Sequence, residues 1–230
     1  MRPPKLHISK DTPAYYLTSV TKDRLPVFQN TQMARLACDA LNDARRSGGF
    51  LIFAYVVMLD HLHLVTDSLV KSKDIHRFVN RNISRKVIDH LKEKGHTESL
   101  RKLRIAERDG NWKYSLWQHH PDTRLLWSEQ MLWQRIQYTH LNPVRAGLAD
   151  HPDDWQWSSA RIFHGRPNEN EPLAVDLDRI EWRGGGGGRA GGGGGPGGIA
   201  SQILFAIFRR GTASPRCIMA KPIMLNFQNQ

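Results

Sequence analysis

Apolar and polar positions along the chain fall into blocks with two different periods. Ala14-Tyr15-Tyr16-Leu17-Thr18-Ser19-Val20 is rich in aromatic and β-branched residues, which suits a first strand, and the charged loop after it contains Pro26. Met33, Leu36, Ala37, Ala40, Leu41 and Ala44 then recur at helical spacing; Asn30-Thr31 can cap the start and Gly48-Gly49 closes the end. Phe50 to Met58 is short and continuously apolar, as in a central strand. Leu59-Asp60 makes a tight break, so the run from His61 to Val65 reads as an antiparallel neighbour across a very short turn.

Further on, Ile75, Phe78, Val79, Ile83, Val87 and Leu91 share one helical face, while Lys73, Arg77, Arg81 and Arg85 repeat every fourth residue on another. This helix is expected to pack with one stripe and present a basic ridge with the other. Glu93 to Gly110 is strongly polar and reads as a loop. Ser128 is a good N-cap for a helix from Glu129 to Leu141, which Pro143 is expected to end at Asn142 by disfavouring helical geometry there. From Gly184 to Gly198 the composition is that of a flexible linker. Beyond it, residues 199–230 hold an apolar stretch too short for a bilayer and no sustained period.

With 230 residues, 40% of them hydrophobic, the chain can bury one good core. No apolar run reaches the length of a membrane span, and none of signal-peptide length follows Met1, so a cytoplasmic protein with no membrane partner is expected. There are only two cysteines, Cys38 and Cys217, which excludes a disulfide framework; any metal must use His, Asn, Asp or Glu. The formal charge is +11, and it is localised: Val70 to Arg108 holds 12 Lys and Arg against 5 Asp and Glu. A one-sided excess of this kind is the footprint of a polyanion, and the ridge of Lys73, Arg77, Arg81 and Arg85 is the leading candidate for gripping phosphates. A solvated helix face is the plainer alternative. All seven Trp lie between Trp112 and Trp182, interleaved with His119, His120, Arg124, Arg135 and Arg145. That mixture suits unpaired nucleic acid, although most of the indoles are expected to serve packing.

The candidate chemistry starts at Asp60-His61-Leu62-His63. Side chains alternate along a strand, so His61 and His63 point to one face and Leu62 and Leu64 to the other. Paired imidazoles on a rigid strand can hold a divalent metal with an open position; two partly exposed polar residues are the alternative. Asp60 is expected to point away from the His61 face. Tyr138 and Asn142, four residues apart, lie together at a helix end, whereas His140 falls on roughly the opposite side and stays outside the site.

Four stretches taken together carry a family resemblance: Tyr55-Val56-Val57-Met58-Leu59-Asp60-His61-Leu62-His63-Leu64, Leu116-Trp117-Gln118, Tyr138-Thr139-His140-Leu141-Asn142-Pro143-Val144-Arg145-Ala146-Gly147-Leu148, and Asp154-Trp155-Gln156-Trp157-Ser158-Ser159-Ala160. The chain resembles the single-tyrosine HUH transposases, and among them the REP-associated tyrosine transposases of bacteria, over about residues 14–165. Leu59 departs from the Pro usual before the Asp/Asn-His of that family.

The resemblance implies an α+β fold, an antiparallel sheet flanked by helices with a ferredoxin-like core. The resemblance delimits the transposase domain (14–165); around it stand an N-terminal segment (1–13), an extension (166–183), the linker (184–198) read from composition and a tail of unknown role (199–230). It assigns Tyr138 as nucleophile and His61, His63 and Asn142 as ligands of Mg²⁺ or Mn²⁺. Arg145 joins Lys73, Arg77, Arg81 and Arg85 as expected DNA contacts. Single-stranded or hairpin DNA would be cut by transesterification, giving a 5′-phosphotyrosine and a free 3′-hydroxyl; whether the protein is a monomer or a homodimer is left open. A metal-dependent hydrolytic nuclease and a nonenzymatic nucleic-acid-binding module stand beside this reading.

Overall fold

Strand β1 (Ala14–Val20), helix α1 (Thr31–Gly48), strands β2 (Ile52–Val57) and β3 (His61–Thr66) and helix α2 (Ser72–Glu93) follow one another much as the periodicity predicts. The computed structural model describes residues 5–106, 112–118 and 121–182. The glycine-rich stretch, the tail after it, and His119 and His120 lie outside the described residues. After α2 come α3 (Thr97–Leu103), β4 (Arg104–Ala106), β5 (Trp112–Tyr114), β6 (Asp122–Leu126), α4 (Glu129–Arg145) and α5 (Ala160–Phe163).

Four strands form an antiparallel-paired sheet in the order β2-β3-β1-β6, while β4 and β5 make a separate hairpin-like pair. The succession β1-α1-β2-β3-α2-β6 in that spatial order is a ferredoxin-like core, an α+β arrangement with both crossover helices on one face. Leu17, Tyr55, Val57, Leu62 and Leu64 meet α1 and α2 in the larger apolar cluster. Helix α4 covers the other face: its Leu132 and Ile136 pack with Tyr16, Phe53, Ala54 and Val65. Alternation along β3 thus divides one strand between two layers. Ile8 and Ile180 join the second cluster, and Leu6 bridges Ile180, so residues on both sides of the core strands close that layer.

Three local expectations are corrected. The stretch read as a loop from Glu93 to Gly110 holds α3 and β4 in its described part, Glu93 to Ala106, and its last four residues lie outside the described residues; Leu100 and Leu103, three residues apart, bury themselves against the α1/α2 core. Two apolar residues in a charged stretch gave too weak a period to reveal a helix that tertiary contact stabilises.

The second correction is at Pro143, which sits inside α4 instead of ending it. Asn142 keeps helical geometry while its side-chain amide donates to the Tyr138 carbonyl at 2.7 Å. The stop comes at Gly147, whose φ of +67° needs the left-handed region, with Leu148 N–H bonded to the Pro143 carbonyl at 2.9 Å. Part of the Asn-Pro-Val-Arg-Ala-Gly string is therefore helix-end chemistry. The third correction, the orientation of Asp60, belongs to the site.

Candidate functional site

The β1/β3 register sets Thr18 opposite His63 and Val20 opposite His61, so both imidazoles stand on the α4 face. Their ring centroids are 4.9 Å apart. Helix α4 starts at Ser128, whose side chain accepts from Met131 N–H at 3.2 Å, and runs across this face. It brings Tyr138 edge-on to His63, with centroids 5.9 Å apart.

His63 is buried and held from behind. Its Nδ1 meets the Tyr16 hydroxyl at 2.8 Å and the Thr18 hydroxyl at 3.0 Å, and the Tyr16 ring stacks on it at 5.3 Å. With Nδ1 engaged, Nε2 is the nitrogen left for another partner. Burial, then the neighbouring His61, pushes the His63 pKa down to about 3, against a partial offset from a hydrogen bond with the Asn142 side chain. The ring is therefore neutral at pH 7, the form in which imidazole ligates a metal. Asn142 has its nitrogen committed to the Tyr138 carbonyl, which leaves the amide oxygen as an acceptor.

His61 is oriented by the residue beside it. Asp60 Oδ1 lies 2.5 Å from His61 Nδ1, and Asp60 Oδ2 accepts from Arg24 at 3.0 Å. Burial would raise the Asp60 pKa, but the His61 and Arg24 interactions outweigh it and the carboxyl is held below its usual range. Asp60 was expected to point away, on the strength of strand alternation. It precedes β3, in the three-residue connection after β2, where the period of two does not apply. A carboxylate on the far nitrogen of an imidazole fixes its tautomer and raises its basicity as a ligand.

Positive charge surrounds the tyrosine. Arg145 lies 4.9 Å from the Tyr138 ring centroid, and Arg135 lies 5.6 Å from it and 5.2 Å from that of Tyr16. Burial, with Tyr138 nearby, drives the Tyr16 pKa well above the usual phenol range, so Tyr16 remains a neutral hydroxyl.

The fold thus gathers His61, His63, Tyr138, Asn142 and Arg145. Lys73, Arg77, Arg81 and Arg85 are exposed on α2, in the layer across the sheet. His140 turns away as expected: it is buried, bonded to Ser159 Oγ at 2.9 Å and edge-on to Phe163. Sequence reasoning missed Tyr16, Thr18 and the orienting role of Asp60, and did not single out Arg135. The alternation of Tyr16 and Thr18 on β1 was the available signal, but nothing local says which strand lies beside β3.

Among the described residues no group of three His, Cys, Asp or Glu side chains converges, so a metal here would rely on two imidazoles and one amide oxygen. No helix among the described residues is long and apolar enough to cross a membrane.

No protein-family model matches the chain, and no curated protein matches it in sequence. Solved structures resemble it more distantly. A REP-associated tyrosine transposase bound to a REP hairpin aligns with 19% identity and a TM-score of 0.48, over 83% of this chain and 100% of that one. A Deinococcus radiodurans protein provisionally classed as a transposase aligns with 20% identity and a TM-score of 0.40, over 60% of this chain and 95% of that one.

Proposed function

We propose that the protein cuts and rejoins single-stranded DNA, at hairpin or palindromic repeats, with Tyr138 as the attacking group. The observation that carries this reading is the meeting of Tyr138 with the paired histidines across two elements, with Arg135 and Arg145 over its ring. A tyrosine used only for packing would not need two guanidinium groups and a neutral imidazole around it.

In the proposed reaction the Tyr138 oxygen attacks phosphorus, the Tyr–O–P bond forms and the bond to the 3′ oxygen breaks. The phenolic proton leaves, and the departing 3′ oxygen takes one up. The product is a 5′-phosphotyrosine with a free 3′-hydroxyl, so the reverse step reseals the strand with no external energy source. Arg135 and Arg145 offset negative charge on the phosphate as it gains an axial ligand. Tyr16 and Thr18 fix the His63 ring, and Asp60 fixes that of His61.

The donor set fits a divalent ion such as Mg²⁺ or Mn²⁺: two imidazoles with their rear nitrogens engaged, and the amide oxygen of Asn142. When bound, such an ion supplies Lewis-acid polarisation of a phosphoryl oxygen.

The test is incubation of end-labelled single-stranded hairpin DNA with the protein and Mg²⁺ or Mn²⁺, followed by denaturing electrophoresis. A covalent adduct is expected with the native chain and none with Tyr138→Phe, which keeps the ring and removes only its oxygen. Cleavage by the Phe variant at an undiminished rate would make water the nucleophile and replace this reading by metal-dependent hydrolysis. DNA binding with no cleavage in either protein would leave a nonenzymatic binding module.

A further inference from the structure

The two outer edges of the sheet are finished differently. Along β2, Trp157 to Ser159 runs beside the strand: Val57 N–H donates to the Trp157 carbonyl at 2.8 Å, Tyr55 N–H donates to Ser159 Oγ at 3.0 Å, and Val56 bridges Ser158. The Trp155 indole donates to the Val57 carbonyl at 3.0 Å. The tryptophan-rich motif after α4 is thus an edge cover, of the kind that prevents a bare strand from pairing elsewhere.

Strand β6, at the opposite edge, pairs only with β1 among the described residues. Here Leu125 is 46% exposed and Trp127 48%, whereas Trp133, Trp155 and Trp182 are half-buried and Trp117 and Trp157 are buried. Leu125 stands opposite Tyr15, on the α1/α2 side of the sheet, and with Trp127, Lys10 and Pro13 lines a shallow hollow of about 290 Å³.

The basic ridge flanks this same edge. His76 of α2 reaches the Thr123 hydroxyl of β6 at 3.0 Å, which fixes the flank of the helix that faces the edge strand. At about 100° per residue, Lys73 and Arg77 lie roughly 60° and 100° from His76 in one sense, while Ile75 and Val79 turn the other way into the core. Arg124 alternates to the other face, opposite Tyr16 of β1. An exposed indole and leucine, cations to one side and a further arginine leading to the site make an open path over one strand. A rigid duplex has no unpaired bases to offer an indole.

We propose that the β6 edge is a seat for unpaired bases: Trp127 stacks on a base, Leu125 supports it, and Lys73 and Arg77 hold the adjoining phosphates. This rests on the reading of the protein as one that acts on single-stranded nucleic acid, and it names where the strand runs beyond the reacting phosphate.

The test is equilibrium binding of a labelled mixed-sequence single-stranded oligonucleotide to the full chain without divalent ions, so that cleavage plays no part. Trp127→Ala is expected to weaken binding about 5- to 150-fold, the usual range for losing one stacked base, and Trp127→Phe to recover most of it. The affinity for a blunt duplex of the same length is expected to stay unchanged. Native-like circular dichroism of the Ala variant guards against misfolding, and the Phe variant keeps the test readable if it fails.

Equal single-strand affinity of native and Ala proteins overturns the proposal. So does a loss of self-association in the Ala variant with no change in DNA affinity, which would make the edge an interface between copies of this chain. Failure of Tyr138 to form an adduct would leave the binding result standing, so the two readings fail separately.

Discussion

The two faces of β3 are built from alternate residues of one six-residue strand, yet they are held by different physics. Leu62 and Leu64 face α1 and α2 in a layer packed from apolar side chains. His61 and His63 face α4 in a layer where position is set by hydrogen bonds to Asp60, Tyr16 and Thr18. Packing is non-directional and sums over many small contacts, whereas hydrogen bonds specify angle as well as distance. One face can therefore carry stability and the other can hold reacting groups in a chosen orientation.

The sharpest way to break this comparison is to truncate neighbours on β3. Leu64→Ala should lower unfolding free energy by about 2–5 kcal/mol in denaturant titrations, because it opens a cavity in the packed layer. His63→Ala should abolish adduct formation with a smaller loss of stability. If the two variants lost stability equally while His63→Ala still formed adduct, the division of labour would be wrong.

A finer probe is Asp60→Asn, which keeps the shape and removes the charge behind His61. Metal affinity measured by titration should fall about 10- to 100-fold, and cleavage should be partly recovered at high Mn²⁺, which binds imidazole better than Mg²⁺ does. An unchanged affinity would show that Asp60 serves Arg24 alone.

The basic ridge tests a contrast across the sheet. Replacing Arg77, Arg81 and Arg85 together by Ala should weaken single-stranded DNA binding at low salt and flatten its salt dependence by up to about 0.7 per lost phosphate contact, with adduct formation at saturating DNA preserved. Replacing Arg145 should act the other way round, slowing the adduct step at saturation.

The smallest effect expected is one of pH. Burial, with His164 nearby, pushes His140 down to about 3, so between about pH 6.5 and 3 the unfolded chain takes up a proton that the folded chain refuses. Stability from this group is complete above pH 6.5 and falls with acidification, by at most ~1.4 kcal/mol per pH unit. Denaturant midpoints for His140→Gln should therefore decline less steeply from pH 7 to pH 5 than those of the native chain.

Sequence alone determined what depends on local geometry. Two residues per strand repeat put His61 beside His63, and 3.6 per helical turn put Tyr138 near Asn142 and raised the Lys73–Arg85 ridge. These relations hold wherever the element sits. They fail at element ends, which is why Asp60 and Pro143 were misread: one lies just outside a strand, and the other stands in the last turn of α4, two residues before its end.

Which elements meet was decided only by tertiary structure. The crossovers that place α1 and α2 on one face leave the other to α4, and this single choice brings Tyr138 and two arginines to the histidines while keeping the ridge across the sheet. It also sets Tyr16 and Thr18 beside His63, through the pairing of β1 with β3 across about 40 intervening residues. Such contacts are selected by how much apolar surface the whole chain can bury against its loss of conformational freedom, a balance that no short window of sequence contains.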